Sequence, residues 1–189
     1  MRIGIIGAGG IGGVIGGLLS YNGYDVTLVD QWEEHVKAIK KNGLIVETQN
    51  GSYTTYPRAI SISELQEQKT FFTVSFIVVK SYDTEWATSL MKSYTDPDSG
   101  YFVDFQNGIN DEKIASIVGK EKSVGSIITI GAGCYEPGKV IRTDNYPLGF
   151  KVGEHDGTIS ERLKALNNIL CSVADSEITT DLWGERWSK

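Results

Sequence analysis

The segment Gly7-Ala8-Gly9-Gly10-Ile11-Gly12 has the G-x-G-x-x-G spacing, and it follows a short apolar run and opens a helical pattern. Glycine in a helix costs ~1 kcal/mol relative to alanine, so this density needs a physical reason. In this pattern Gly7 allows a tight turn, Gly9 lets a pyrophosphate approach the main chain, and Gly12 lets the helix close onto a sheet. The phosphates would meet free N–H groups at the positive end of the helix. A second chemical feature lies ~20 residues further on. There Asp30 ends the next apolar run and can accept hydrogen bonds from adenosine ribose hydroxyls. Gln31, Trp32, Glu33 and Glu34 follow it, with no arginine or lysine to pair a 2′-phosphate. The pattern therefore predicts NAD(H) over NADP(H), with Gly7, Ala8, Gly9, Gly10, Ile11, Gly12, Asp30 and Gln31 at the cofactor. Gly13, Gly16 and Gly17 exceed the fingerprint and are expected to serve close packing of the helix on a sheet.

The elements that must hold these residues follow from periodicity. Arg2 to Ile6 and Tyr24 to Val29 read as buried strands, and Gly9 to Tyr21 as the helix between them. Trp32, Val36 and Ile39 recur at helical spacing, and Leu44 to Tyr56 reads as a hairpin around Asn50-Gly51. Val74 to Val79, Tyr101 to Phe105 and Val124 to Ile130 are further strands. Trp86, Leu90 and Tyr94 mark a helix between the first two, and Ile109 to Val118 a helix before the third. Ile159, Leu163, Leu166, Leu170 and Val173 form one stripe of an amphipathic helix over 158–174. Strands alternating with helices predict an α/β fold of the Rossmann type, a doubly wound, mostly parallel sheet flanked by helices.

The totals set limits. The chain has 189 residues, 40% of them hydrophobic, and a net charge of -6, which disfavours nucleic acid and anionic membranes as partners. No apolar run approaches the ~20 residues of a membrane span, and no secretion signal is recognisable, so a cytoplasmic protein is expected. Cys134 and Cys171 lack metal-like or redox spacing, and no metal site is expected. His35 and His155 read as structural or solvated, with His35 on the solvent side of its helix.

Five more segments carry a resemblance. Val78-Val79-Lys80-Ser81-Tyr82 and Phe105-Gln106-Asn107-Gly108-Ile109-Asn110-Asp111-Glu112 each follow a predicted strand. Ile128-Thr129-Ile130-Gly131-Ala132, Glu136-Pro137-Gly138-Lys139-Val140 and the closing Asp181-Leu182-Trp183-Gly184-Glu185-Arg186-Trp187-Ser188-Lys189 come later. With the glycine loop, they resemble the ketopantoate reductase (2-dehydropantoate 2-reductase) family over essentially the whole chain. The resemblance implies a Rossmann domain followed by a helical domain, with the active site in the cleft between them. It implies reduction of the ketone of 2-dehydropantoate with NADPH, a step of pantothenate and coenzyme A biosynthesis. It places Lys80 at the cofactor, Asn107 near the nicotinamide and the substrate, and Lys189 as the general acid. The residues agree with those roles, because an ammonium near a ketone can stabilise the alkoxide and deliver its proton. Without the resemblance, Lys80 and Lys189 would read as surface charges and Asn107-Gly108 as a turn.

Two departures qualify it. The family usually carries an arginine after the second strand, where this chain has Asp30-Gln31. The family also continues past the position of Lys189 into a helical domain of ~100 residues or more. Residues 1–178 are therefore expected to form the dinucleotide-binding domain and 179–189 the start of a truncated helical substrate domain, with Thr180 as its N-cap. On that expectation the chain alone is inactive, its partner is a small-molecule 2-oxo acid, and a homodimer is compatible with it. The alternatives are an NAD(H)-sensing regulatory module and a β-hydroxy acid dehydrogenase with another substrate.

Overall fold

The computed structural model describes residues 1–189. In chain order the first elements are β1 (Arg2–Ile6), α1 (Gly10–Tyr21), β2 (Asp25–Asp30), α2 (Glu33–Asn42), β3 (Leu44–Thr48), β4 (Gly51–Thr55), β5 (Arg58–Ser61) and α3 (Ile62–Leu65). Next come β6 (Val74–Ile77), α4 (Thr84–Lys92), β7 (Tyr101–Asp104), α5 (Asp111–Val118) and β8 (Ser123–Ile128). The chain closes with β9 (Ala132–Glu136), β10 (Lys139–Arg142), β11 (Leu148–Gly153), α6 (Glu161–Leu170), β12 (Asp175–Ile178) and α7 (Leu182–Ser188).

The main sheet has eight strands in the order β12-β11-β8-β7-β6-β1-β2-β5. Six of them, from β8 to β5, are parallel, while β11 pairs antiparallel with β8 and carries β12 alongside it. The strand order reverses at β1: β2 lies on one side and β6 on the other. In such sheets the carboxyl edge at the reversal opens into a crevice. Alternation of side chains divides the core between the two faces. Ile3, Ile5, Phe76 and Val103 face α1 and α6, whereas Ile6, Ile77 and Phe102 face α3, α4 and α5. Each fully buried aliphatic or aromatic side chain contributes ~1.5–3 kcal/mol. No helix is long and apolar enough to cross a membrane.

A second sheet, β4-β3-β10-β9, lies on the outer side of α1. It joins the expected β3–β4 hairpin to a β9–β10 hairpin that the periodicity did not reveal. The turn of the first hairpin is Gln49-Asn50, with Thr48 opposite Gly51. This second sheet explains the surplus glycines in part differently from expectation. A Cβ on Gly16 would lie 2.5 Å from Leu28 on the main sheet, as predicted. One on Gly13 would lie 2.6 Å from Val140, and one on Gly17 2.5 Å from Val46, both on the second sheet. The helix is thus clasped from both sides.

Two helices differ from their sequence reading. α4 buries Thr84, Ala87, Thr88 and Met91, and leaves Trp86 exposed. The small residues allow α4 to lie close against α5, and Trp86 is turned toward the crevice. α6 starts at Glu161 because the Ser160 hydroxyl accepts the Leu163 amide, which leaves Ile159 outside the helix and exposed. It ends at Leu170, and Val173 is buried from the turn that follows.

Candidate active-site cleft

The first strand-to-helix corner is built from main chain. Gly7 adopts φ +95°, and a Cβ there would lie 2.9 Å from the Val78 carbonyl carbon. A Cβ on Gly12 would lie 1.9 Å from the Gly7 carbonyl oxygen, and one on Gly10 2.7 Å from that of Ala132. Gly9 differs: nothing lies within 4 Å of the position its Cβ would take. The first helical bond shown by the corner runs from the Gly13 amide to the Gly9 carbonyl, and no side chain caps the helix. The amides of Gly10, Ile11 and Gly12, in the first helical turn, have no intrahelical partner.

Asp30 holds this corner from the side. Its Oδ2 accepts the Ala8 amide at 2.5 Å and its Oδ1 accepts the Trp32 amide at 2.8 Å. Each carboxylate oxygen retains further acceptor capacity. His35 supports the corner from below and is 1% exposed, which corrects the expectation of a solvent-facing ring. Its Nδ1 accepts the Gly138 amide at 2.9 Å, so its Nε2 carries the proton and donates to the Ala8 carbonyl at 3.0 Å. Burial lowers its pKa, against the raising effects of the Ala8 carbonyl and Asp30. Trp32 stacks on the ring at 5.4 Å and 14°. The α2 pattern placed Val36 and Ile39 inward, yet His35 turns inward too because the β9–β10 turn and the glycine corner both need a partner there.

A cleft of about 390 Å3 runs along the carboxyl edge from this corner. Gly7, Gly9, Gly10, Ile11, Asp30 and Gln31 line one end. Lys80 and Asn107 line the other, and the exposed rings of Tyr82 and Trp86 also border the cleft. Ala8 and Gly12 do not line it: Ala8 is buried with its amide on Asp30, and Gly12 is packed on Gly7. The buried Gln106, which the sequence reading passed over, ties the strand ends together. Its Nε2 donates to the Val79 carbonyl at 2.6 Å and its Oε1 accepts from the Thr84 hydroxyl at 3.0 Å.

Lys189 comes to the far end of the cleft through α7. Its Nζ donates to Asn107 Oδ1 at 2.7 Å and to the Ile128 carbonyl. Partial burial lowers the pKa of its amine, and the nearby Arg186 charge lowers it further. α7 itself is capped by the Asp181 carboxylate, which accepts the Gly184 amide at 2.9 Å, and not by Thr180 as expected. Leu182 packs into the space left by Gly125 on β8, where a Cβ would lie 2.4 Å from it. Trp187 projects into solvent at 77% exposure, while Trp183 is half-buried near His155. Cys134 lies 3.9 Å from His35 Nδ1, and burial, with Asp30 and Glu136, raises its pKa and keeps the thiol protonated.

The sequence pattern of the ketopantoate reductase PanE/ApbA family matches residues 3–157. A 2-dehydropantoate 2-reductase of Pyrococcus horikoshii is 31% identical over 197 aligned residues, covering 100% of this chain and 60% of that protein. The uncharacterized oxidoreductase YkpB of Bacillus subtilis is 29% identical over 189 residues, covering 97% of this chain and 60% of its own length. The chain thus spans about 60% of the length of these curated relatives. Among solved structures, 2-dehydropantoate 2-reductase from Geobacter metallireducens superimposes with a TM-score of 0.87 at 25% identity, covering 99% of this chain and 60% of that one. A D-mandelate dehydrogenase in complex with NADH and anilino(oxo)acetate shares the fold, with a TM-score of 0.82 at 23% identity over 96% of this chain and 58% of that one. By its matched sequence pattern and its fold, this chain belongs to the ketopantoate reductase PanE/ApbA family.

Proposed function

We propose that the chain is the cofactor-binding and proton-donating part of an NAD(H)-dependent reductase acting on a 2-oxo acid such as 2-dehydropantoate. One arrangement carries the reading: a single cleft joins an uncapped glycine corner and Asp30 to Asn107, whose side chain is bonded to Lys189 at 2.7 Å. The residues present suit a dinucleotide. Gly9 leaves open space for a diphosphate at the helix amides, and Asp30 keeps acceptor capacity for ribose hydroxyls. Asp30 and Gln31, with Glu33 and Glu34 following, favour NAD(H), since a 2′-phosphate would meet negative charge.

A bound nicotinamide would supply hydride to the carbonyl carbon of the substrate. The chain's own task is at the oxygen. The Lys189 ammonium donates a proton to the forming alkoxide, and the lowered pKa of its amine makes that donation easier. Asn107 holds the ammonium by its Oδ1 and keeps its Nδ2 free to donate toward the cleft. Lys80, open to solvent at the cleft wall, would meet anionic groups of a bound cofactor. Residues 1–178 form the nucleotide-binding unit in this reading and 179–189 lead into the substrate-binding part. The 189-residue chain then binds dinucleotide and turns over 2-oxo acids very slowly. The setting we propose is cytoplasmic, without nucleic acid or membrane partners.

Titration calorimetry of the chain with NADH and with NADPH tests the first half of the reading. Binding of NADH, tighter than NADPH and weakened by Asp30→Ala, is expected. No binding of either, or tighter NADPH, would overturn it. Turnover is tested on a chimera extended by the remaining segment of the P. horikoshii relative. Equal rates for the bare chain and the chimera would refute the division of labour.

A further inference from the structure

Three buried charges meet behind the catalytic end of the cleft. Arg186 on α7, with its side chain 4% exposed, donates from Nη2 to Asp104 Oδ2 at 2.7 Å and to Asp111 Oδ1 at 2.8 Å. Asp104 ends β7, Asp111 opens α5, and both side chains are fully buried. The other arm of the guanidinium faces the turn that carries Asn107. Its Nη1 donates to the Gln106 carbonyl at 3.3 Å and to the Gly108 carbonyl at 3.2 Å. The Asn107 carbonyl between them accepts Asn110 Nδ2 at 3.1 Å. Every carbonyl of this turn is therefore held, two of the three by Arg186.

We propose that Arg186 is a positioning residue: its forked guanidinium locks α7 to the Gln106–Gly108 turn and so sets where Lys189 meets Asn107. The inference rests on the proposed roles of Lys189 and Asn107. The physical argument is geometric. Arg186 lies in the last turn of α7 and Lys189 is the C-cap residue three positions on, so holding that turn places Lys189. A guanidinium presents its donors in a fixed plane, so two carboxylates and two carbonyls define its orientation, which a lysine could not match. Exposed ion pairs contribute little, whereas here the groups are out of water and their geometry is over-determined.

The charge balance adds a second consequence. Two carboxylates surround one guanidinium. Burial raises the pKa of Asp104 to about 8, against the pull of Arg186 and with a further push from Asp111. Other charged groups nearby are few: His155, after β11, lies within the field of Asp111, and Glu185 on α7 is turned to Lys151 at 2.7 Å. Burial of Asp104 and the pull of Arg186 thus oppose each other inside one cluster, and removing the guanidinium would push the Asp104 carboxyl further up.

The experiment is a pH titration of the Lys189 side chain by NMR in the 189-residue chain labelled with 13Cε-lysine, with Lys189→Met to assign the resonance. Two variants are compared with the parent. Arg186→Lys keeps the charge and loses the fork. The triple variant Asp104→Asn, Asp111→Asn, Arg186→Met removes every buried charge, so it does not fail to fold through an orphaned ion. In the triple variant the Lys189 midpoint is expected to rise, and the cross-peaks between its ε-protons and Asn107 to disappear. In Arg186→Lys the midpoint stays low while those cross-peaks weaken. An unchanged midpoint with intact cross-peaks in the folded triple variant would overturn the proposal. Should the triple variant not fold, Arg186→Lys decides alone: parental cross-peaks overturn it. The catalytic reading fails separately, if Lys189→Met in the chimera reduces substrate at the parental rate while the NMR changes still occur.

Discussion

The two ends of the cleft are made in different ways. In the proposed reading the working groups at the glycine corner are main-chain amides from one stretch of residues 7–12. Side chains there act mostly as supports: Asp30 and His35 both hold Ala8. At the opposite end the same reading uses side chains from separate elements. Asn107 follows β7, Lys189 follows α7, and Arg186 joins α7 to the Asn107 turn through the Gln106 and Gly108 carbonyls while Asp104 and Asp111 hold its other arm. A backbone site is set by local geometry and the absence of side chains. A charged site needs burial, so that long side chains adopt one arrangement.

Substitutions should separate the two ends if this contrast is right. The largest effect is expected for Lys189→Met in the chimera, where turnover falls by about 10²–10⁴-fold, the range for losing a general acid. Calorimetry on the chain should show its NADH affinity unchanged, and a parallel loss of affinity would break the contrast. Arg186→Met alone leaves two carboxylates buried without their cation. Urea denaturation should show a loss of about 3–5 kcal/mol, far more than for any exposed pair. A loss under 1 kcal/mol would mean that water reaches the cluster.

The glycine corner offers a sharper pair. Gly12→Ala forces a methyl to 1.9 Å from the Gly7 carbonyl oxygen, so a destabilisation of about 1–3 kcal/mol or more is expected in the same denaturation assay. Gly9→Ala meets nothing in the protein. It should leave the melting temperature nearly unchanged and weaken NADH by about tenfold, or about 1.4 kcal/mol. Equal stability losses in both would remove the distinction between a glycine needed by the fold and one needed by the ligand.

The smallest effect concerns pH. His35 is buried with its pKa below the ordinary 6.5. The unfolded chain takes up a proton near 6.5 that the native corner refuses. Its contribution to stability is therefore complete above that pH and is lost as pH falls toward the native value. Because the raised Asp104 carboxyl pushes stability the other way over this range, the His35 share is read as a difference: thermal melts between pH 7.5 and 5 should show His35→Gln losing less, or gaining more, than the parent as pH falls. His155, also lowered by burial, leaves a residual slope.

Much of the corner was legible because its signal is local. G-x-G-x-x-G after an apolar strand, with Asp30 closing the next one, needs no knowledge of distant residues. The second sheet was missed because Ala132 to Arg142 contains two glycines and a proline, which mask a hairpin in a short window. His35 was misplaced because its helix pattern is polar on most sides, and only the β9–β10 turn makes its position interior. Asp104 carried an unused signal: a carboxylate within the apolar run Tyr101 to Phe105 must be either exposed or paired.

The sequence by itself determined the alternation of strands and helices, the glycine corner and the acidic residue beside it. These depend on backbone sterics and on periodicities that act over a few residues. Only the tertiary structure decided that Arg186 would meet Asp104 and Asp111, and that Lys189 would reach Asn107. A buried ion cluster has no sequence period. It exists because the fold brings the end of β7 and the start of α5 beside α7 and excludes water from between them.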